Sequence, residues 1–477
     1  MRYYSTKNKK QDFSFTQAAL TGLAPDGGLF IPQIIPSYRK TVKNSLYAMS
    51  FLEIAYETIL PYVEGEMPCT ILEELCTEAF PFTAPLIPIN TGTDTVKSSG
   101  LTAWPFPLVL ELFHGPTAAF KDFGARFMAR TFSWLRRGED RPLRILVATS
   151  GDTGGAVADG FFGVQGISVT ILYPKNRVSE LQEKQIAGFA SVEAENNISA
   201  LAVEGSFDDC QALVKSAFGD TVLKERLSLS SANSINISRL IPQAVYYAAA
   251  AGKAQAGCWD NDGEATPRTA AASVNTGFAA PAGSPHPISF CVPSGNFGNL
   301  TAGLYALSMG APIAGFIAAT NSNKTVPDYL ENGEYKTRPS QTTISNAMDV
   351  GAPSNFERMA AHWNLDQLRR MIRGISVTDD ETRQTIAEVY RNYGYYLDPH
   401  GAVGWTAVQK LHNSAATDKK MAVLATAHPA KFPETVENIT GPVPVPASIQ
   451  KALDRNARSL TIPADISVLR DILLSES

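Results

Sequence analysis

The chain has 477 residues, 44% hydrophobic and 18% charged, with a formal net charge of −5. That size and composition predict two or three domains around a large core. The acidic balance argues against broad binding to nucleic acid or anionic membranes, and no apolar run reaches the ~20 residues a membrane span requires.

The N-terminal stretch Met1–Lys7 has neither the apolar run of a secretory signal nor an Arg- and Ser-rich transit helix. Residues 45–80 read as helix, with apolar positions at Leu46, Phe51, Ile54, Ala55 and Ile59, so residues 1–95 are expected to form a mainly helical segment. From about Pro107 the pattern changes. Strands are expected at Leu108–Leu112, Ile145–Ala148 and Val169–Tyr173, with helices from Phe120 to Arg136 and after Gly154–Gly155. The same alternation resumes at Ile288–Val292, Ile313–Ile317 and Ala422–Ala425. Short buried strands alternating with helices predict an α/β protein with two doubly wound parallel-sheet units, at residues 96–250 and 288–440. The stretch from Ala251 to Pro287 is rich in Ala, Gly, Thr, Pro and Asn and reads as an inserted, mobile surface loop. Residues 441–477 read as a C-terminal tail, reached through the extended connector Pro442–Pro446.

The five cysteines (Cys69, Cys76, Cys210, Cys258, Cys291) form no C-x-x-C pair, and Cys291 lies in an apolar run. Reduced thiols and a cytoplasmic location are therefore expected. The six histidines show no metal-ligand spacing, so no metal site is expected.

Three strand-to-loop junctions carry the chemistry. The first is His114-Gly-Pro-Thr-Ala-Ala-Phe-Lys121-Asp-Phe123, where Lys121 is the only lysine between Ser98 and Pro174. It falls near a predicted helix start, where positive charge is disfavoured, which lowers the affinity of its amine for a proton. A lysine that forms a Schiff base needs a neutral fraction. The second junction is Thr149-Ser150-Gly151-Asp152-Thr153-Gly-Gly155, whose hydroxyls and N–H groups could hold an α-carboxylate or serve as a helix cap. The third is Ser294-Gly295-Asn296-Phe297-Gly298-Asn299, a glycine-rich loop entering a helix, suited to a phosphate dianion. It matches neither the G-x-x-x-x-G-K-[ST] nor the G-x-G-x-x-G nucleotide pattern. A lysine facing two anion sites is what holding pyridoxal phosphate beside an amino-acid carboxylate requires.

Two further positions lie at strand ends, the edge where a doubly wound sheet gathers ligands. Thr426 follows Ala422–Ala425 and is placed to meet a cofactor ring, with a structural role as the alternative. Lys175 and Arg177 follow Val169–Tyr173 and are candidates for a substrate phosphate, against the alternative of a solvated loop.

Together these motifs resemble the threonine synthase family, pyridoxal-phosphate enzymes of fold type II. The resemblance begins at Leu23-Ala-Pro-Asp-Gly-Gly-Leu-Phe-Ile-Pro32 and continues through the three junctions to Thr426–Phe432. It implies that Lys121 carries pyridoxal 5'-phosphate and acts as the catalytic base. It implies that Gly295, Asn296, Phe297, Gly298 and Asn299 hold the cofactor phosphate, that Thr426 faces the pyridine nitrogen, and that Thr149–Thr153 receive the substrate carboxylate. The implied reaction converts O-phospho-L-homoserine and water to L-threonine and phosphate. The alternatives are a related fold-type-II lyase, such as a serine/threonine dehydratase or a phosphohomoserine phospho-lyase, or a catalytically silent cofactor-binding protein.

Overall fold

Apolar runs flanked by glycine and proline form the strands expected of them, and they assemble into two largely parallel sheets with helices on their faces. The computed structural model describes residues 1–89, 108–139, 141–190, 197–258, 260, 287–414 and 420–475. In chain order the strands are β1 (Tyr3–Ser5), β2 (Asp12–Phe13), β3 (Phe30–Pro32), β4 (Leu86–Pro88), β5 (Leu108–Glu111), β6 (Leu143–Ala148) and β7 (Ile167–Pro174). They continue with β8 (Ile198–Glu204), β9 (Ser228–Ser231), β10 (Ile288–Pro293), β11 (Ile313–Thr320), β12 (Ile372–Ser376), β13 (Met421–Ala425) and β14 (Leu460–Pro463).

One sheet has the order β12-β11-β10-β13-β5-β4, parallel except for β4. The other has the order β14-β8-β7-β6-β9 and is parallel throughout. Strand β5, expected with the first unit, instead pairs with β13, Val109 opposite Val423 and Leu110 opposite Leu424. Strand β14, in the expected tail, extends the smaller sheet beside β8, with Leu460 opposite Leu201. The tail is thus built into the fold, and its helix Ala447–Leu453 packs against the helix Glu180–Ala187.

The N-terminal segment is helical as expected, but the stretch 45–80 divides into Phe51–Val63 and Cys69–Ala79. Gly65 interrupts it with φ +85°, and Pro68 precedes the second helix. Ser50 and Glu53 close a capping box at the first. A small antiparallel sheet, β2-β1-β3, went unread because its strands are only two or three residues long. The expected loop 251–287 is entered by the helix Ala244–Ala256, which ends at Gly257 with φ +70°. Residues 261–286 lie outside the described residues.

The helix Ala244–Ala256 is apolar around nearly its whole circumference, and it is buried in the main core beside Phe51–Val63 and Gly298–Met309. Among the described residues, no helix is long and apolar enough to cross a membrane.

The helix Lys121–Leu135 crosses the short helix Ile237–Leu240 at Gly124, where an added Cβ would lie 2.7 Å from the Arg239 carbonyl oxygen. Helix propensity alone favours Gly124→Ala by ~1 kcal/mol. Overpacking against backbone costs about 1–3 kcal/mol, and a carbonyl cannot swing aside as a side chain can. The contact is expected to win, so Gly124→Ala should lower Tm by a few degrees in thermal unfolding. An unchanged or raised Tm would show that the two helices separate freely.

Candidate active site

The site forms where the carboxyl ends of β5, β6, β10 and β13 lead into their loops. The loop before Lys121 is zipped to the chain leaving β13. Phe120 N–H donates to Thr426 O at 2.9 Å, and His428 N–H donates to Ala118 O at 3.0 Å. Ala118 takes a left-handed conformation, φ +54°, to make that turn. Asp122 anchors the loop from the helix side. It accepts the Thr117 N–H at 2.9 Å and the Thr117 hydroxyl. Its buried carboxyl is pushed up to about 7 by desolvation, against those two bonds. Gly115 permits this closure, because a Cβ there would lie 2.4 Å from Asp122 Oδ2.

Lys121 is thereby placed at the first position of its helix, largely buried, with Nζ 3.5 Å from Asp152 Oδ2. Burial holds its amine below the ordinary lysine range. Asp152 opposes that effect, while Lys431 and Arg239 add to it. A helix N-terminus acts in the same direction, but the larger physical cause is desolvation.

Asp152 occupies the centre of the cluster. Its Oδ1 binds Lys431 Nζ at 2.9 Å and Gln182 Nε2 at 3.2 Å. Burial works to raise its carboxyl, but Lys431 and then Lys121 outweigh it and keep the group ionised far below the usual range. A carboxylate so placed would repel an α-carboxylate. Thr149 is also committed internally. Its hydroxyl accepts the Gly151 and Gly154 N–H groups at 3.0 and 2.9 Å, shaping the turn. Gly151 is at φ +143°, and a Cβ there would meet the Gln182 amide. Ser150 and Thr153 are the half-buried hydroxyls of this loop, with no hydrogen bond among the described residues.

The Ser294–Asn299 loop leaves β10 and enters the helix Gly298–Met309, whose first turn has no side-chain cap. Uncapped N–H groups and the helix field suit a phosphate. Phe297 takes a left-handed conformation, φ +61°. Gly295 lies against the segment Ala347–Met348, where a Cβ would be 2.8 Å from the Ala347 oxygen. Asn296 ties the loop outward: its amide donates to Ser234 Oγ at 2.6 Å, and its carbonyl accepts the Ser354 N–H. Asn299 is buried, its carbonyl accepting the Tyr246 and Tyr247 hydroxyls at 2.7 and 2.6 Å. Its Nδ2 has no partner among the described residues. Tyr246 also packs edge-on against Phe123, two residues from Lys121, which links this loop to the lysine helix.

These residues fit pyridoxal phosphate. A depressed lysine amine suits its aldehyde, and an uncapped helix terminus beside an orphaned buried amide donor suits its phosphate. Thr426 lies at the end of β13, buried, its carbonyl engaged by Phe120. Lys175 and Arg177 are not brought into this cluster. Both are exposed; Lys175 pairs with Glu204 at 3.3 Å, and Arg177 faces Asp209. Arg358, a further cation near the third junction, is buried and bonded to Phe30 O, Asn355 Oδ1 and Ile235 O. Sequence reasoning missed Lys431 and Gln182. The only signal for Lys431 was a lysine amid apolar residues just past a strand end. No cluster of metal-ligating side chains occurs among the described residues.

Residues 87–427 match the family model of pyridoxal-phosphate dependent enzymes. Residues 2–80 match that of the threonine synthase N terminus, and residues 401–473 the threonine synthase C-terminal model. The chain is 38% identical to threonine synthase of Escherichia coli over 481 residues, covering 100% of both chains. It is 32% identical to that of Pseudomonas aeruginosa, covering 98% of this chain and 97% of the relative. The crystal structure of the Escherichia coli threonine synthase superposes with a TM-score of 0.82, covering 100% of both chains. The pyridoxal-phosphate-bound threonine synthase of Brucella melitensis does so with 0.83 at 33% identity, covering 100% of this chain and 99% of that one. The chain belongs to the threonine synthase family of fold-type-II enzymes, with pyridoxal 5'-phosphate as its cofactor.

Proposed function

We propose that this enzyme converts O-phospho-L-homoserine and water to L-threonine and phosphate, with Lys121 carrying the cofactor and moving the protons. The observation that carries this reading is end-to-end similarity to threonine synthases, with a depressed lysine where the cofactor must attach. When bound, pyridoxal phosphate supplies an electron sink for charge developing at the substrate's Cα and Cβ. Gly295 to Asn299 hold its phosphate through the uncapped helix terminus, and Asn299 Nδ2 adds a donor. Thr426 would meet its ring. The Ser150 and Thr153 hydroxyls, with the Ser150 and Asp152 backbone N–H groups, receive the substrate carboxylate.

Lys121 Nζ takes a proton from Cα and then one from Cβ, and returns protons as the carbon skeleton is rebuilt. The Cγ–O bond breaks with its electron pair leaving on phosphate. Cγ finishes as a methyl group, and water delivers its oxygen to Cβ. Asp152 holds Lys121 in reach of these carbons without competing as a base, because its ion pairs keep its affinity for a proton far below that of an ordinary carboxylate.

The test is stoichiometry: purified enzyme loaded with pyridoxal phosphate should form threonine and phosphate in equal amounts from phosphohomoserine. Release of 2-oxobutyrate in place of threonine would assign a lyase that lacks the hydration step.

Lys175 pairs with Glu204 on the surface, outside the cluster around Lys121. Such pairs are worth about 0–1 kcal/mol. The double variant Lys175→Gln, Arg177→Gln is therefore expected to keep KM for phosphohomoserine within about threefold of wild type. A rise above tenfold in steady-state kinetics would return the substrate phosphate to this loop.

A further inference from the structure

Lys431 is the buried charge that these roles leave unexplained. It ends the short helical turn Pro429–Lys431, which His428 caps by accepting the Ala430 N–H at 3.2 Å. Its side chain is fully buried. Burying an ammonium is costly unless it is paired and hydrogen-bonded. Here Nζ donates to Thr117 O at 2.8 Å and meets Asp152 Oδ1 at 2.9 Å. Both partners belong to loops that deliver catalytic groups: Thr117 precedes Lys121, and Asp152 faces it.

Two lysines thus share one carboxylate, and they share it unequally. Lys431 sits at hydrogen-bond distance from Oδ1, and Gln182 supports the same oxygen at 3.2 Å. Lys121 approaches only Oδ2, at 3.5 Å. The charged groups that face Lys121 are Asp152 from the helix Asp152–Phe161, Lys431 from its turn and Arg239 from the helix Ile237–Leu240. Asp152 also feels His400 of the helix Pro399–Ser414. Lys431 is the cation closest to the carboxylate, so it decides how much of that charge remains for Lys121.

We propose that Lys431 is a positioning residue for the reaction: it claims the Asp152 carboxylate, so that Lys121 is held in place without being locked into a tight ion pair and stays free to exchange protons with the substrate. This rests on the assignment of Lys121 as the proton-carrying base. Lys431 itself touches neither substrate nor cofactor in this scheme.

The sign of the effect follows from charge. Lys121 acts as a base only when neutral. Removing a neighbouring cation favours its protonated form, and removing the neighbouring anion disfavours it. The test measures kcat against pH for the loaded enzyme and for Lys431→Met, Lys431→Arg and Asp152→Asn, each loaded with pyridoxal phosphate. In Lys431→Met the acidic limb should move up by about one pH unit, a tenfold change in the neutral fraction at a given pH on that limb. KM should stay within about threefold. In Asp152→Asn the limb should move down. Lys431→Arg, which keeps the charge, should leave it near wild type.

A purely structural lysine predicts something else: lower Tm and lower kcat at every pH, with the limb unmoved. That result in a folded, loaded Lys431→Met protein overturns the proposal. If Lys431→Met does not fold, Asp152→Asn decides, and a limb that stays put or rises overturns it. A wild-type enzyme that forms no threonine would overturn the functional reading instead. In that case the visible absorbance of the lysine-bound cofactor, titrated against pH, still tests the proposal. Its midpoint should rise in Lys431→Met and fall in Asp152→Asn.

Discussion

Lys121→Ala is expected to lower turnover by at least about 10⁴-fold, the upper end for loss of a positioned acid–base group alone. The loss is compounded because, in the proposed scheme, the same amine carries the cofactor. The fold should survive. Lys121 occupies only the longer arm of the Asp152 ion pairs, so Lys431 at 2.9 Å still compensates the buried carboxylate when Lys121 is gone. The loop before Lys121 is held by Thr426, His428 and Asp122 through bonds that do not involve its side chain. Threonine formation and the visible absorbance of lysine-bound cofactor are the measurements. A variant that keeps that absorbance, or turns over within tenfold of wild type, would remove Lys121 from its role. A melting temperature within a few degrees of wild type separates this chemical loss from unfolding.

Asn299→Asp is the second large expected effect, on cofactor affinity. The change is nearly isosteric. The Tyr246 and Tyr247 hydroxyls can still donate to the remaining oxygen, so no buried polar group loses its partner. The orphaned Nδ2 donor, however, becomes a second oxygen in the loop proposed to hold the cofactor's phosphate dianion. Loss of one charge-assisted bond costs about 1.5–3 kcal/mol, and buried like-charge repulsion adds to it. The dissociation constant for pyridoxal phosphate should rise by more than about 100-fold, read by titration of the cofactor into apoprotein. Asn299→Ala separates the two contributions. It removes the donor without adding charge, though it strands two tyrosine hydroxyls, so the melting temperature of each apoprotein is read beside its cofactor affinity. Equal cofactor affinity in Asn299→Asp and wild type would place the phosphate elsewhere.

Much of the architecture was legible from local pattern alone. Runs such as Ile145–Ala148, Val169–Tyr173 and Ile288–Val292 form strands because residues buried on both faces of a parallel sheet must be apolar nearly throughout. Strands β8, β9 and β12 were missed. Strand β9 is a serine-rich run, and β12 alternates apolar with polar residues and a glycine, so neither stands out against loop sequence. The three junctions were visible because glycine, hydroxyl residues and a lone lysine at strand ends are chemical signals carried within a few residues. The helix start at Lys121 was likewise read within one residue of where it lies.

Sequence by itself therefore determined the fold class, the order of its βα units and where the three glycine- and hydroxyl-bearing junctions fall, since each depends on side-chain period and backbone freedom over short spans. Tertiary structure alone decided the rest. It put β5 beside β13 and β14 beside β8, because a strand's neighbour is set by which sheet edge is open, not by its own residues. It withdrew the Thr149 hydroxyl into its own turn and turned Lys175 toward Glu204. It also brought Lys431 onto Asp152, more than two hundred residues away in the chain. Proton affinity at Lys121 depends on burial and on charges within a few ångströms in space, so the neighbours that set it come from distant parts of the sequence.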